Sequence, residues 1–66
     1  MINRIKENRK IKGYRQEDLA KALKVSRQTI IAIERNRYNP SLELAMKLAQ
    51  VLDTTIEELF ELFELE

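Results

Sequence analysis

One glycine, Gly13, and one proline, Pro40, interrupt these 66 residues. A chain that folds through hairpins needs turn residues at each reversal, so strands have little room here. The apolar side chains instead recur three and four positions apart, as in Leu19, Ala20 and Leu23 and again in Leu44, Ala45, Leu48, Ala49 and Leu52. That is the spacing of one buried helical face. End signals divide the chain into five such helices. Asn3 is placed to cap a first helix over about 4–12, with Ile5 and Ile11 among its buried positions and Gly13 stopping it in left-handed geometry. Glu17 and Asp18 open a second over about 16–23, where the helix dipole favours acids. Ser26 caps a third over about 27–35, and Ser41, just past Pro40, a fourth over about 42–52. Thr55 and Glu58 have capping-box spacing for a fifth that begins at Ile56. The expected fold class is all-α, a compact five-helix single domain over 1–66.

Sixty-six residues lie near the lower end of what folds unaided, since a domain of this size buries only about 60% of its unfolded surface. There is no cysteine and no histidine, which excludes disulfides and leaves a zinc site of the usual kind without ligands. No cofactor is expected. Without a nucleophile–base pair, a glycine-rich phosphate loop or paired carboxylates in a pocket, the chain does not read as an enzyme. No run of about 18 apolar residues is present, and "MINRIKENRK" lacks the apolar region of a signal peptide, so a cytoplasmic protein with no membrane partner is expected. The net charge of +1 conceals a strong asymmetry. Residues 1–40 hold eleven Lys/Arg against four Asp/Glu, a balance of +7, whereas 41–66 hold one against seven, a balance of −6. Either the amino-terminal part faces a polyanion, or the two parts are solvated faces of opposite sign.

The second and third helices are joined only by Lys24, Val25 and Ser26. Helices joined so tightly cross steeply, which is the geometry of a helix-turn-helix, and close crossing needs a small residue such as Ala20 where they touch. Leu19, Leu23, Val25, Ile30 and Ile33 supply apolar contacts on either side of the turn. Residues 14–40, "YRQEDLAKALKVSRQTIIAIERNRYNP", resemble the helix-turn-helix of the phage-repressor/Cro-type (XRE) family of DNA-binding regulators. The resemblance extends over roughly 3–60 and includes the order of the five helices. It implies a lambda-repressor-like fold and a sequence-specific regulator of transcription that binds double-stranded DNA. It is particularly like the minimal members of that family, which act as homodimers. Two positions depart from the family pattern. Lys24 stands in the turn where glycine is usual, at a cost of about 1–2 kcal/mol if it is left-handed. Arg15 stands where Ser or Thr usually caps the second helix, and a guanidinium accepts no bond from an amide.

Three isoleucines in "SRQTIIAIERNR" cannot share one face of the third helix. At about 100° per residue, Ile30 and Ile33 fall on one side and Gln28, Ile31, Ala32 and Arg35 on the other, flanked by Arg27. Such an outward stripe fits the major groove of B-DNA. In the family the amino-terminal end of this helix reads bases, which implies Arg27 and Gln28 here. Arg is bidentate to guanine, Gln to adenine, and small apolar groups meet the thymine methyl. Base readout is therefore expected from Arg27, Gln28 and Ala32. Ile31 is expected to touch a thymine methyl or lie over the sugar-phosphate edge, unless the following loop or a dimer partner covers it. Thr29, at the boundary of core and groove, is a further candidate.

Phosphate contacts are expected around this stripe. The resemblance places Gln16 on a phosphate, aided by amides at a helix start. It also assigns backbone grip to the loop Arg35, Asn36, Arg37, Tyr38 and Asn39, five donors in succession; Arg15 is a further candidate. Glu34, the one acid amid this basic stretch, needs a partner, and the resemblance pairs it with Arg9. At the far end, "IEELFELFELE" carries more apolar residues than one small core absorbs, and such a surplus commonly marks an interface. Homodimerisation is expected through the region of the fourth and fifth helices and the tail, with Leu59, Phe60, Leu62, Phe63 and Leu65 as dimer contacts and 56–66 as a dimerisation tail. A two-fold dimer implies a pseudo-palindromic operator. Repression by occluding a promoter is the simplest mode for so small a domain, and no small-molecule effector is expected. The alternative from another class is a protein-interaction module, an antitoxin or adaptor built on the same fold.

Overall fold

The structure, a computed structural model, describes residues 2–61. A two-residue strand β1 (Ile2–Asn3) leads into α1 (Ile5–Ile11), α2 (Gln16–Leu23), α3 (Arg27–Glu34), α4 (Leu42–Val51), the single-turn α5 (Ile56–Leu59) and a second short strand β2 (Phe60–Glu61). All four long helices are of seven to ten residues. Isolated helices of that length are marginal in water, so tertiary packing must hold them. The core that does so is formed by Ile5, Leu19, Leu23, Ile30, Ile33, Leu48, Leu52 and Leu59, all at most 6% exposed, with Ala20 and Ala49 where small residues fit. Tyr14, Val25, Leu44, Val51, Ile56 and Phe60 pack around its edge. Among the described residues no helix is long and apolar enough to cross a membrane.

The helix starts follow the caps legible in the sequence, with one exception. Ser26, Ser41 and Thr55 each accept, through the hydroxyl, the amide three residues on (Thr29, Leu44 and Glu58) at 3.1 Å. The exception is α1, whose N-cap is Arg4 rather than Asn3. Asn3 belongs to β1, although its Oδ1 still accepts from the Ile5 amide at 3.3 Å.

The helix ends share one device. Gly13, Lys24, Asn36 and Asp53 lie at φ +78°, +59°, +60° and +58°, one or two residues past the ends of α1 to α4. In each case the amide of the left-handed residue bonds back three positions and the next amide bonds back five: Gly13 to Lys10 and Tyr14 to Arg9, Lys24 to Lys21 and Val25 to Ala20, Asn36 to Ile33 and Arg37 to Ala32, Asp53 to Gln50 and Thr54 to Ala49. This is the Schellman motif, which satisfies carbonyls that the helix leaves unpaired. Only one of the four positions is the glycine that such geometry favours.

One expectation about the core fails. Ile11 is 81% exposed, because the inward face of α1 is set by Ile5 and Arg9, and Ile11 lies about 120° round the helix from Ile5. The expected all-α, five-helix class holds, with one short strand pair added to it. After the single turn of α5 the backbone extends, with Phe60 at φ −125° and ψ 140°, and β2 pairs antiparallel with β1, Ile2 opposite Glu61 and Asn3 opposite Phe60. A longer α5 would bring its glutamates to the negative end of the helix dipole. Pairing instead gives the backbone partners, and the exposed Arg4–Glu61 ion pair at 2.6 Å lies beside it.

The left-handed stops yield two substitutions of opposite sign. Lys24→Gly is expected to raise stability by about 1 kcal/mol by relieving a non-glycine residue at positive φ. Gly13→Ala is expected to lower it by about the same, from backbone geometry alone, since a Cβ there meets nothing within 4 Å. Thermal melts separate the two, at about 4–8 °C per kcal/mol for a domain of this size.

Candidate nucleic-acid interface

The site is assembled around a charge pair inside the fold. Arg9 takes the inward position on α1 one turn after Ile5. Its Nε donates to Glu34 Oε2 at 2.7 Å and its Nη2 to Glu34 Oε1 at 3.4 Å. The two side chains are only 9% and 5% exposed. The remaining arm of the fork, Nη1, donates to the Tyr14 carbonyl at 2.9 Å. Gln16, the first residue of α2, donates through Nε2 to Glu34 Oε1 at 3.2 Å, and its Oε1 accepts from Arg27 Nη2 at 3.4 Å. One network thus joins α1, the α1–α2 turn, the start of α2 and both ends of α3. No buried side-chain nitrogen or oxygen among the described residues is left without a partner.

On the outer side of α3, Arg27, Gln28 and Arg35 are exposed, while Thr29, Ile31 and Ala32 are partly covered. Ile30 and Ile33, at 0% and 1%, face the core. The Thr29 hydroxyl is 2.9 Å from the Ser26 hydroxyl, which draws it toward the helix start. Beyond α3, Arg35, Asn36, Arg37, Tyr38 and Asn39 are all exposed. Among the described residues neither Arg35 nor Arg37 has a carboxylate within ion-pair distance. Arg15 differs: its guanidinium is engaged by Asp18, Nε to Oδ2 at 3.1 Å and Nη2 to Oδ1 at 3.2 Å, and lies 3.7 Å from Glu17. Asp18 also accepts from the Arg15 amide at 2.9 Å. The start of α2 is therefore closed from within the helix, by the acid at its third position, and not by the residue at the cap.

The helix-turn-helix is recognisable beyond its geometry. A family model described as helix-turn-helix matches residues 5–59. A helix-turn-helix-type transcriptional regulator of Methanocaldococcus jannaschii is 53% identical over 60 residues, 91% of each chain. The chain belongs to the phage-repressor/Cro-type (XRE) helix-turn-helix family of transcriptional regulators. Among solved structures, the restriction-modification controller protein C.AhdI of Aeromonas hydrophila superposes with a TM-score of 0.77 at 39% identity, covering 85% of each chain. SinR, the master regulator for biofilm formation, in complex with DNA, gives 0.72 at 40% identity, covering 79% of this chain and 84% of that one.

Within this helix-turn-helix frame, α2 and α3 are the two helices of the motif and Lys24 is the left-handed residue of its turn, at φ +59° and ψ 42°. Of the dimer contacts expected of the tail, Leu59 needs correction. Leu59 is 0% exposed and belongs to the core of its own chain, so it offers nothing to a second copy. Phe60 is half-buried against that core. Leu62, Phe63 and Leu65 lie outside the described residues. Besides Ile2, Ile11 and Tyr38, the exposed large apolar side chains among the described residues include Leu42 (72%) and Met46 (53%), one turn apart at α4. The links of Gln16 to Glu34 and Arg27, and of Asn3 to the end of α3, carry no sign in the sequence. The acid three residues after Arg15 was a legible sign of the closed α2 start.

Removing one partner of a buried ion pair leaves an uncompensated charge, so Arg9→Ala is expected to cost about 3–5 kcal/mol. A melt within a degree of the parent protein would refute this. Asp18 gives a pH signature. The Arg15 guanidinium, and then the Arg15 amide, hold its carboxyl below the usual carboxylate range. The folded state therefore binds the proton less readily than the unfolded one. The stabilisation is complete above the unfolded value of about 4 and fades as pH falls through the lower folded value. Asp18→Asn is expected to melt below the parent protein at pH 6, with the gap narrowing toward pH 2.5.

Proposed function

We propose that this regulator binds double-stranded DNA with α3 in the major groove and acts as a repressor on a pseudo-palindromic operator. The observation that carries the reading is an exposed basic surface on and after α3, where Arg35 and Arg37 meet no carboxylate among the described residues, held by a buried Arg9–Glu34 pair that neutralises the acid at the end of α3. Arg27, Gln28, Thr29, Ile31 and Ala32 meet base edges. The Arg27–Gln16 bond couples the first of these to a residue at the start of α2, where Gln16 and the helix amides meet a phosphate. Asn36, Tyr38 and Asn39 join Arg35 and Arg37 on the backbone after α3, and Arg15 does so only by leaving Asp18. That SinR was crystallised on DNA supports the reading for a chain 40% identical to it.

The active form is a homodimer. Exposed Leu42 and Met46 support an interface that includes α4, and two-fold symmetry sets the recognition helices about 34 Å apart, one turn of DNA. Sedimentation showing a monomer at tens of micromolar would oppose this.

Selection of bound oligonucleotides followed by a salt series tests the DNA reading. Log K should fall with log[salt] at about −0.9 per phosphate engaged. Arg37→Ala should weaken all sequences alike and reduce the slope by about 1, whereas Gln28→Ala should cost about 1–3 kcal/mol on the selected site and relax one base position. Binding that is neither specific nor salt-dependent would favour a protein-interaction module on this fold.

A further inference from the structure

The carboxamide of Asn3 joins the β1–β2 pair to the exit of α3. Asn3 lies opposite Phe60 in the strand pair, and the next amide, that of Arg4, donates to the Leu59 carbonyl at 2.7 Å. With its backbone held there, the Asn3 side chain donates through Nδ2 to the Ile33 carbonyl at 2.8 Å and to Asn36 Oδ1 at 3.1 Å. Its Oδ1 accepts from the Ile5 amide. Both amide hydrogens and one oxygen lone pair are thus used.

The two acceptors are not arbitrary. The Ile33 carbonyl also accepts from the Asn36 amide at 3.0 Å, the bond that makes Asn36 the left-handed stop of α3. Asn36 stands between Arg35 and Arg37 in an exposed loop, where its side chain would otherwise rotate freely. A bond from Asn3 fixes its carbonyl and leaves its own NH2 for another acceptor. The direction in which the chain leaves α3 toward Arg37 is set at the same point.

We propose that Asn3 is a positioning residue for the phosphate grip: it orders Asn36 and Arg37, and it makes that order depend on β1 and β2 staying paired. The proposal rests on the DNA-binding reading above. It differs from a merely structural role, which would lower stability and leave the number of phosphates engaged unchanged.

The test is a double-mutant cycle of Asn3→Ala with Arg37→Ala in the full chain, on the duplex selected by the parent protein, across a salt series and well below each melting temperature. Asn3→Ala is expected to weaken binding about tenfold and to reduce the salt slope by about one phosphate's worth, ~0.9. In the Arg37→Ala background it should add little, because the group it orders is gone. An unchanged affinity and slope, or a full penalty persisting without Arg37, would overturn the proposal. If Asn3→Ala does not fold, Asn36→Gly keeps the left-handed stop and removes the same bond from the other side; its slope should fall, and an unchanged slope is equally fatal. Failure of the parent protein to bind any duplex in a salt-dependent way appears before any variant is compared, and it removes the DNA-binding reading and this proposal together.

Discussion

The buried pair between Arg9 and Glu34 is the interaction on which the arrangement of the other parts depends. Taking two charges out of water is expensive, and their mutual attraction offsets that cost only when the geometry is good and the remaining polar atoms are bonded. Here they are. The guanidinium spends two arms on the carboxylate and one on the Tyr14 carbonyl, and the carboxylate takes a further donor from Gln16. Four separate segments must be in register for that set to close. A hydrophobic pair of similar volume would have packed α1 on α3 without specifying where the α1–α2 turn or the first side chain of α2 must lie. The same pair also removes a negative charge from the surface that carries Arg27, Arg35 and Arg37.

Around this fixed point the chain is built from helices too short to stand alone. Their ends are therefore as decisive as their faces. Serine or threonine hydroxyls close the starts of α3, α4 and α5, and a left-handed residue closes the end of each of the four long helices. Lysine, asparagine and aspartate at three of these stops accept a modest backbone penalty. At Asn36 the compensation is visible, since its side chain receives a bond from Asn3. At Lys24 the side chain stays in solvent and adds positive charge beside the motif.

Much of this was legible along the chain because it depends on short-range physics. Helical periodicity located α2 and α4, hydroxyl caps located three helix starts, and the two sides of α3 separated Ile30 and Ile33 from Gln28 and Arg35. The failures share a different cause. Ile11 has the right character for a core but the wrong angle once Arg9 takes the inward position. Leu59 and Phe60 looked surplus in a tail considered alone, yet the core has room for the first, and the strand pair and the edge of the core hold the second. Asn3 read as a local cap, because nothing near it in sequence announces Ile33 or Asn36, thirty and thirty-three residues away.

The sequence by itself determined the helices, most of their caps, the tight turn between α2 and α3, and the concentration of positive charge in the first forty residues. These are properties of neighbours three or four positions apart, or of composition, and they hold whatever the chain packs against. Only the tertiary structure decided that Phe60 and Glu61 leave the helix as a strand, that Asn3 joins that strand pair to the exit of α3, and that Gln16 ties Glu34 to Arg27. Each of those depends on hydrogen-bonding partners brought together by the core, and a backbone amide or a carboxamide carries no sign in sequence of which distant group will meet it.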